Sequence, residues 1–265
     1  VATCRDLSNQ ALAAIEQGQW QHAEGLLGNA IETCPVDPDA RRYYAEVLVQ
    51  RGAIHEALAH LEEARRLVPH DTSLTIRAGE LYLTTNQLAF AESRAAAAIR
   101  LDNKSADAWS LRARVRRAQG DNHGALADLQ QALRHRPDDP LLLGEIAGLH
   151  LGMNRPDRAL MHAQSLADTY VAGEVPIDIV QLQAQIYAAT GRHAEAAACY
   201  RQICQRSAPS ADHFYALAQA EMQAGNVVNA EAALRSALAI QPDHAPSRQL
   251  WPHVAQLRAQ AGALR

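Results

Sequence analysis

The sequence predicts an all-α protein: an α-solenoid of about seven helical hairpins closed by a capping helix at residues 246–262. Three rows of residues carry this reading. Ala23, Ala57, Ala91, Ala125 and Ala159 follow one another at steps of 34, Ala196 comes after a step of 37, and Ala230 after another 34. A second row of small residues runs Ala11, Ala45, Gly79, Ala113, Ala147, Ala184, Ala218. A third runs Gly18, Gly52, Asn86, Gly120, Asn154, Gly191, Gly225, residue types that accept positive φ and so mark sharp turns. Self-similarity at such a period is the mark of a repeat architecture, whose units are stable only when stacked.

The elements follow in order. Units start near residues 4, 38, 72, 106, 140, 177 and 211, with about thirteen helical residues before each turn and about fourteen after it. Each pair folds antiparallel, and the small residues let the two backbones approach. The first hairpin turns at Gly18 and closes at "CPVDPDA"; the second turns at Gly52. Leu27 and Leu61 fill the gaps between these units and their neighbours. The third hairpin turns at Asn86. The fourth turns at Gly120, carries Leu129 and closes at "RPDDP". The fifth turns at Asn154-Arg155-Pro156, and the three extra residues before the sixth fall at "TYVAGEVP", a bend or protruding loop. The sixth turns at Gly191. The seventh turns at Gly225, carries Leu234 and closes at "QPDHAP". Residues 246–262 then cover the last unit, with Trp251 as their apolar face and Pro252 near their start. The whole chain, 1–265, reads as a single domain.

The fourth unit shows the pattern most fully in Trp109, Ala113, Gly120, Ala125, Ala132 and Pro137. In this pattern the chain resembles the tetratricopeptide repeat (TPR) family over nearly its whole length. The resemblance implies a right-handed superhelix whose first helices line a concave groove for an extended peptide or a partner helix. The third unit departs from the family pattern, with Asn86 and Asn103 where Gly and Pro are usual.

Composition narrows the function. A formal charge of −4 and a pI near 6.3 argue against a protein whose main task is holding a polyanion. No apolar run is long enough to span a membrane. Alanine makes up a fifth of the chain and aromatics only 5%. Arginine far outnumbers lysine, Lys104 alone, which reads as the codon bias of a GC-rich bacterial genome. The chain opens on Val1 and not Met, so trimming of an upstream segment is expected, with a signal peptide or anchor left open.

No catalytic, metal-binding or phosphate-cradling motif with the needed spacing is present, and no cofactor is expected. The histidines are scattered. His55 and His60 point in different directions, and His22, His123 and His193 read as exposed residues near second-helix starts. Cys199 and Cys204 sit five apart on one helix, about 8.6 Å by helix geometry, too far for a disulfide. Cys4 and Cys34 open and close one hairpin, so antiparallel packing brings them together. They form a disulfide if the protein works outside the cytoplasm, or are two small buried cysteines.

On the family analogy, recurring positions of each first helix face the groove. They give Asn9 in the first unit, Arg42, Tyr43 and Glu46 in the second, and Arg77 and Glu80 in the third. Ser110, Arg114 and Arg117 follow in the fourth, then Gly144, Gly148 and Gly152, Gln181 and Gln185, and Tyr215 and Gln219. The arginines suit a carboxylate or phosphate. Equally, Glu46 with Arg77 and Glu80 with Arg114 make an inter-repeat ion-pair rail. The Lys and Asn with which chaperone-binding relatives clamp a C-terminal carboxylate are absent in that order. Within "RARVRRAQG", Arg112, Arg114, Arg116 and Arg117 wrap around the helix rather than forming one face, which favours a solvated surface over a nucleic-acid site. The glycine stripe either leaves floor space for a ligand backbone or lets neighbouring first helices pack tightly; tight packing is the expectation adopted.

These features predict a non-catalytic protein-interaction scaffold. The alternative is an accessory segment of a larger enzyme or envelope assembly handling a polysaccharide or nucleic acid.

Overall fold

The computed structural model describes residues 4–171, 174–206 and 208–263, whose regular structure is all helix, with no strand among them. They divide into two compact units, Val1–Pro137 and Asp138–Arg265. The first holds α1 (Cys4–Glu16), α2 (Trp20–Thr33), α3 (Pro38–Gln50), α4 (Ile54–Leu67), α5 (Thr72–Thr84), α6 (Leu88–Leu101), α7 (Ala106–Ala118) and α8 (Asn122–His135). The second holds α9 (Pro140–Gly152), α10 (Pro156–Asp168), α11 (Ile177–Ala189), α12 (His193–Arg206), α13 (Ala211–Gln223), α14 (Val227–Ile240) and α15 (Ala245–Ala263).

Local chemistry starts and stops these helices. Asp37, Asp71, Ser105, Asp139 and Ser210 cap first helices by accepting hydrogen bonds from free N–H groups of the first turn. Pro38 and Pro140 stand at helix starts, where the missing N–H costs nothing. Each hairpin turn is a Schellman motif. At the second turn, Gly52 N–H donates to Val49 O and Ala53 N–H to Leu48 O. All seven residues predicted for the turns have positive φ: Asn86 (57°), Asn154 (55°) and the five glycines (71–87°). Asparagine tolerates this conformation, so the third and fifth hairpins close without glycine.

Packing repeats with the sequence. The two helices of each hairpin face each other, and each second helix also packs on the next first helix within its unit. Ala23, Ala57, Ala91, Ala159, Ala196 and Ala230 are fully buried, as are Leu27, Leu61 and Leu234. Gly79 fills the small-residue position on α5 for a steric reason. A Cβ there would lie 2.6 Å from Leu111 Cδ2 and 3.1 Å from Arg94 Cβ. In the second unit the buried carboxylate of Glu221 is held by Arg201 and Asn226.

One expectation needs correction. The capping helix α15 spans Ala245–Ala263, and Pro252 sits inside it rather than near its start. Its fully buried apolar anchor is Val254, while Leu250 and Trp251 are only partly buried against the core. Of the insertion at "TYVAGEVP", residues 172 and 173 lie outside the described residues. The helix after it, α11, lacks a side-chain cap and begins behind Pro176.

Candidate functional site

In the first unit, the predicted groove residues of α3, α5 and α7 engage one another. Arg77 Nε donates to Glu46 Oε1 (2.8 Å) and Arg77 Nη2 to Glu46 Oε2 (2.6 Å), a bidentate pair. Arg77 Nη1 reaches Glu80 Oε2 (3.1 Å), and Arg114 Nη2 reaches Glu80 Oε1 (2.9 Å). The hydrogen bond that Arg77 donates to Glu46 leads the interactions that raise the pKa of Arg77. Arg42 donates to Asp39 and to the Tyr43 hydroxyl, with its guanidinium 4.7 Å from the centre of the Tyr43 ring. All three Arg77 nitrogens are thus engaged by Glu46 and Glu80, while Arg114 contacts Glu80 through Nη2 alone. The Nε atoms of Arg42 and Arg114 are buried and unpaired among the described residues. Asn9 and Arg117 are exposed, and Ser110 is partly buried.

The basic stretch on α7 is largely neutralised within the fold. Arg112 Nε and Nη2 contact Asp128 Oδ2 and Oδ1 at 2.9 and 2.7 Å, and Arg116 Nη1 lies 2.9 Å from Asp128 Oδ2. The Asp128 side chain is 3% exposed. With Arg114 on Glu80, three of the four arginines are committed to carboxylates.

The first-helix face of the second unit has a different character. A Cβ at Gly144 would make an ordinary contact, 3.6 Å from Leu166 Cδ2; at Gly148 and Gly152 it would meet no atom within 4 Å. Tight helix packing is therefore not what the stripe serves, because the space beside it is open. On α11, Gln181 is partly buried and Gln185 exposed, and neither side chain has a hydrogen-bond partner among the described residues. On α13, Gln219 Nε2 donates to the Tyr215 hydroxyl at 2.8 Å. His193 is partly buried and lines a hollow between α11, α12 and α13, so it is not the exposed residue anticipated.

Three contacts between residues distant in sequence had no sequence signal. His150 on α9 is 3% exposed and stacks on His162 of α10, with ring centres 5.6 Å apart. Burial lowers the pKa of both, and the His162, Arg158 and Arg155 charges lower His150 further. The second contact, Ser247–His244–Asp212, has the order of a nucleophile relay, at 2.8 and 3.0 Å. Ser247 has no exposed surface, so no substrate can reach it, and the chain instead ties the start of α15 to α13. The third is Glu231 on α14, which is bound by Arg235 and by Arg258 of α15. Among the described residues no three His, Cys, Asp or Glu are grouped to hold a metal ion, and no helix is long and apolar enough to cross a membrane. Cys34 is disulfide-bonded and Cys199 and Cys204 are free; the side chain of Cys4 lies outside the described residues.

Two family models described as tetratricopeptide repeat match the chain, one at residues 48–115 and 116–170, the other at 8–72 and 182–245. No curated protein matches it. Several solved structures share the fold. A tetratricopeptide repeat protein from Parabacteroides merdae is 14% identical, with a TM-score of 0.68 over 95% of this chain and 98% of its own. PilF of Pseudomonas aeruginosa is 16% identical, with a TM-score of 0.67 over 79% of this chain and 94% of its own. YrrB, described as a TPR protein with an unusual peptide-binding site, is 21% identical, with a TM-score of 0.62 over 71% of this chain and 96% of its own. Repeats of this family generally mediate protein–protein interaction. The repeat period, the seven positive-φ turns and the family matches agree: this chain belongs to the tetratricopeptide repeat family.

Proposed function

We propose that residues 1–265 form a non-catalytic interaction scaffold that holds an extended peptide against the first-helix face of its second unit. The observation that carries this reading is the contrast between the two units. In the first, Arg77, Arg114, Glu46 and Glu80 are engaged in ion pairs with one another. In the second, Gly144, Gly148 and Gly152 leave open space, and Gln181 and Gln185 carry amides without partners among the described residues. A glutamine amide offers both donors and an acceptor, the complement of a peptide's C=O and N–H groups. An open glycine surface lets a second backbone come close. The solved structure of YrrB is described as having an unusual peptide-binding site, which fits peptide binding on this fold.

The test is selection from a library of random ten-residue peptides on the purified chain, followed by titration calorimetry. Binders should lose affinity for the Gln181→Ala, Gln185→Ala double variant while its helical circular dichroism is unchanged. Binders unaffected by that double variant refute this placement of the site.

A further inference from the structure

His150 and His162 stack across the fifth hairpin, with ring centres 5.6 Å apart and ring planes inclined by only 10°. His150 is 3% exposed, and its Nδ1 is buried with no hydrogen-bond partner among the described residues. A neutral imidazole leaves one acceptor unmet there. A protonated one would leave a charged N–H donor unmet, at a far higher cost. One repeat earlier the same two positions hold Arg116 and Asp128, an ion pair at 2.9 Å. Two repeats earlier they hold Tyr82 and Arg94, with the guanidinium 5.8 Å from the ring centre. The fifth hairpin instead sets two groups there that gain the same charge in acid.

The surroundings of the pair add to that charge. Within its unit α9 packs on α10 and α11. From α10 and the turn before it, His162, Arg158 and Arg155 act on His150, all with positive charge. The acidic residues of α10, Asp157 and Asp168, lie near its two ends, and α11 brings only Asp178 and Tyr187 as titratable residues. On α9 itself Glu145 sits about 140° around the helix from His150. Among the described residues no carboxylate acts on either ring. The helix that carries His150 is also weak in itself. Gly144, Gly148 and Gly152 all lie in α9, and each favours the helix less than alanine would. Local opening concentrates in elements held by the fewest interactions.

We propose that the α9–α10 hairpin is an acid-sensitive switch: proton uptake by the His150–His162 pair loosens α9 and lowers the affinity of the peptide face whose floor that helix forms. The inference rests on the peptide-binding reading above and adds its regulation. The packed hairpin holds fewer protons than the loosened one below about pH 6.5. A peptide that needs α9 in place therefore binds fully above that pH and more weakly as pH falls through it.

The experiment compares the full chain at about pH 7.5 and about pH 5.5. Hydrogen exchange read by mass spectrometry, corrected for the pH dependence of an unstructured chain, reports opening helix by helix. Opening of α9 and α10 should rise about tenfold for each histidine that gains its proton only on opening, and opening of α13 should change much less. His150→Leu should abolish the rise; Leu48 fills the equivalent position of the second hairpin, fully buried. Should that variant not fold, His162→Asp decides, because a carboxylate beside His150 favours its charged form and should cancel or reverse the rise. Affinity is measured with a library-selected peptide that lacks Asp, Glu and His and has blocked ends, so that only the protein titrates. It should fall about threefold or more at the lower pH in the wild type and hold in His150→Leu. A rise in α9 no larger than in α13, or one that His150→Leu retains, overturns the switch and leaves the peptide face standing. Loosening of α9 with unchanged affinity overturns its control of binding. A library with no binders overturns the peptide reading, and hydrogen exchange then still decides whether the hairpin senses acid.

Discussion

Replacing Gly144, Gly148 and Gly152 together by alanine should stabilise the second unit. All three lie within α9, and none has the positive φ that would strain an alanine. An interior glycine costs a helix about 0.8–1 kcal/mol relative to alanine. The new methyl at Gly144 would gain an ordinary contact with Leu166 at 3.6 Å, and those at Gly148 and Gly152 would enter open space. No overpacking opposes the gain. Gly152 is the last residue of α9 and should contribute less than the others. The sum is about 2 kcal/mol, or roughly 5–10 °C in the unfolding midpoint of a unit this size. Thermal and urea unfolding followed by circular dichroism measure it. A lower midpoint would refute the reasoning and return the stripe to a packing role. The same variant reports on binding. Peptide affinity should fall as stability rises, because the methyls occupy the floor that a ligand backbone needs. A more stable variant with unchanged affinity removes the stripe from the binding face.

Gly79→Ala should act in the opposite direction: its methyl would collide with the buried Leu111, an overpacking cost of about 1–3 kcal/mol that outweighs the propensity gain, and a raised unfolding midpoint would show that Leu111 can yield. Asp128→Ala leaves the Arg112 and Arg116 guanidiniums together without their buried carboxylate and should cost about 3 kcal/mol in urea unfolding, whereas a loss below about 1 kcal/mol would class the pair with surface ion pairs. Because burial lowers the pKa of His150 and His162 in the folded state, the unfolded chain binds more protons below about pH 6.5, so stability should be full above that pH and decline as pH falls; His150→Leu should flatten the decline, and an unchanged slope would place the proton uptake elsewhere. Thiol counting on unreduced, denatured protein should find two reactive groups, Cys199 and Cys204, in keeping with a proposed Cys4–Cys34 bridge, and four would rule that bridge out.

Much of this protein was legible in its sequence because its signals are local and repeated. Positive φ at a hairpin turn admits few residue types, so the Gly and Asn row located every turn. The alanine rows located the helix contacts, because only small side chains let backbones come that close. Glu46 with Arg77 and Glu80 with Arg114 were readable as pairs because a fixed repeat places equivalent positions on adjacent helices. Where the contact depends on the third dimension, the sequence was silent. Its spacing places Gly79 and Gly148 at equally plausible helical positions, yet the first is crowded by Leu111 and the second faces open space. Asp128 with Arg112 and Arg116, the His150–His162 stack and the chain from Ser247 through His244 to Asp212 join residue types that do not recur from repeat to repeat. The hollow between α11, α12 and α13 is a volume that remains between three packed helices, and a one-dimensional pattern records which residues are small but not where the space between them stays unfilled.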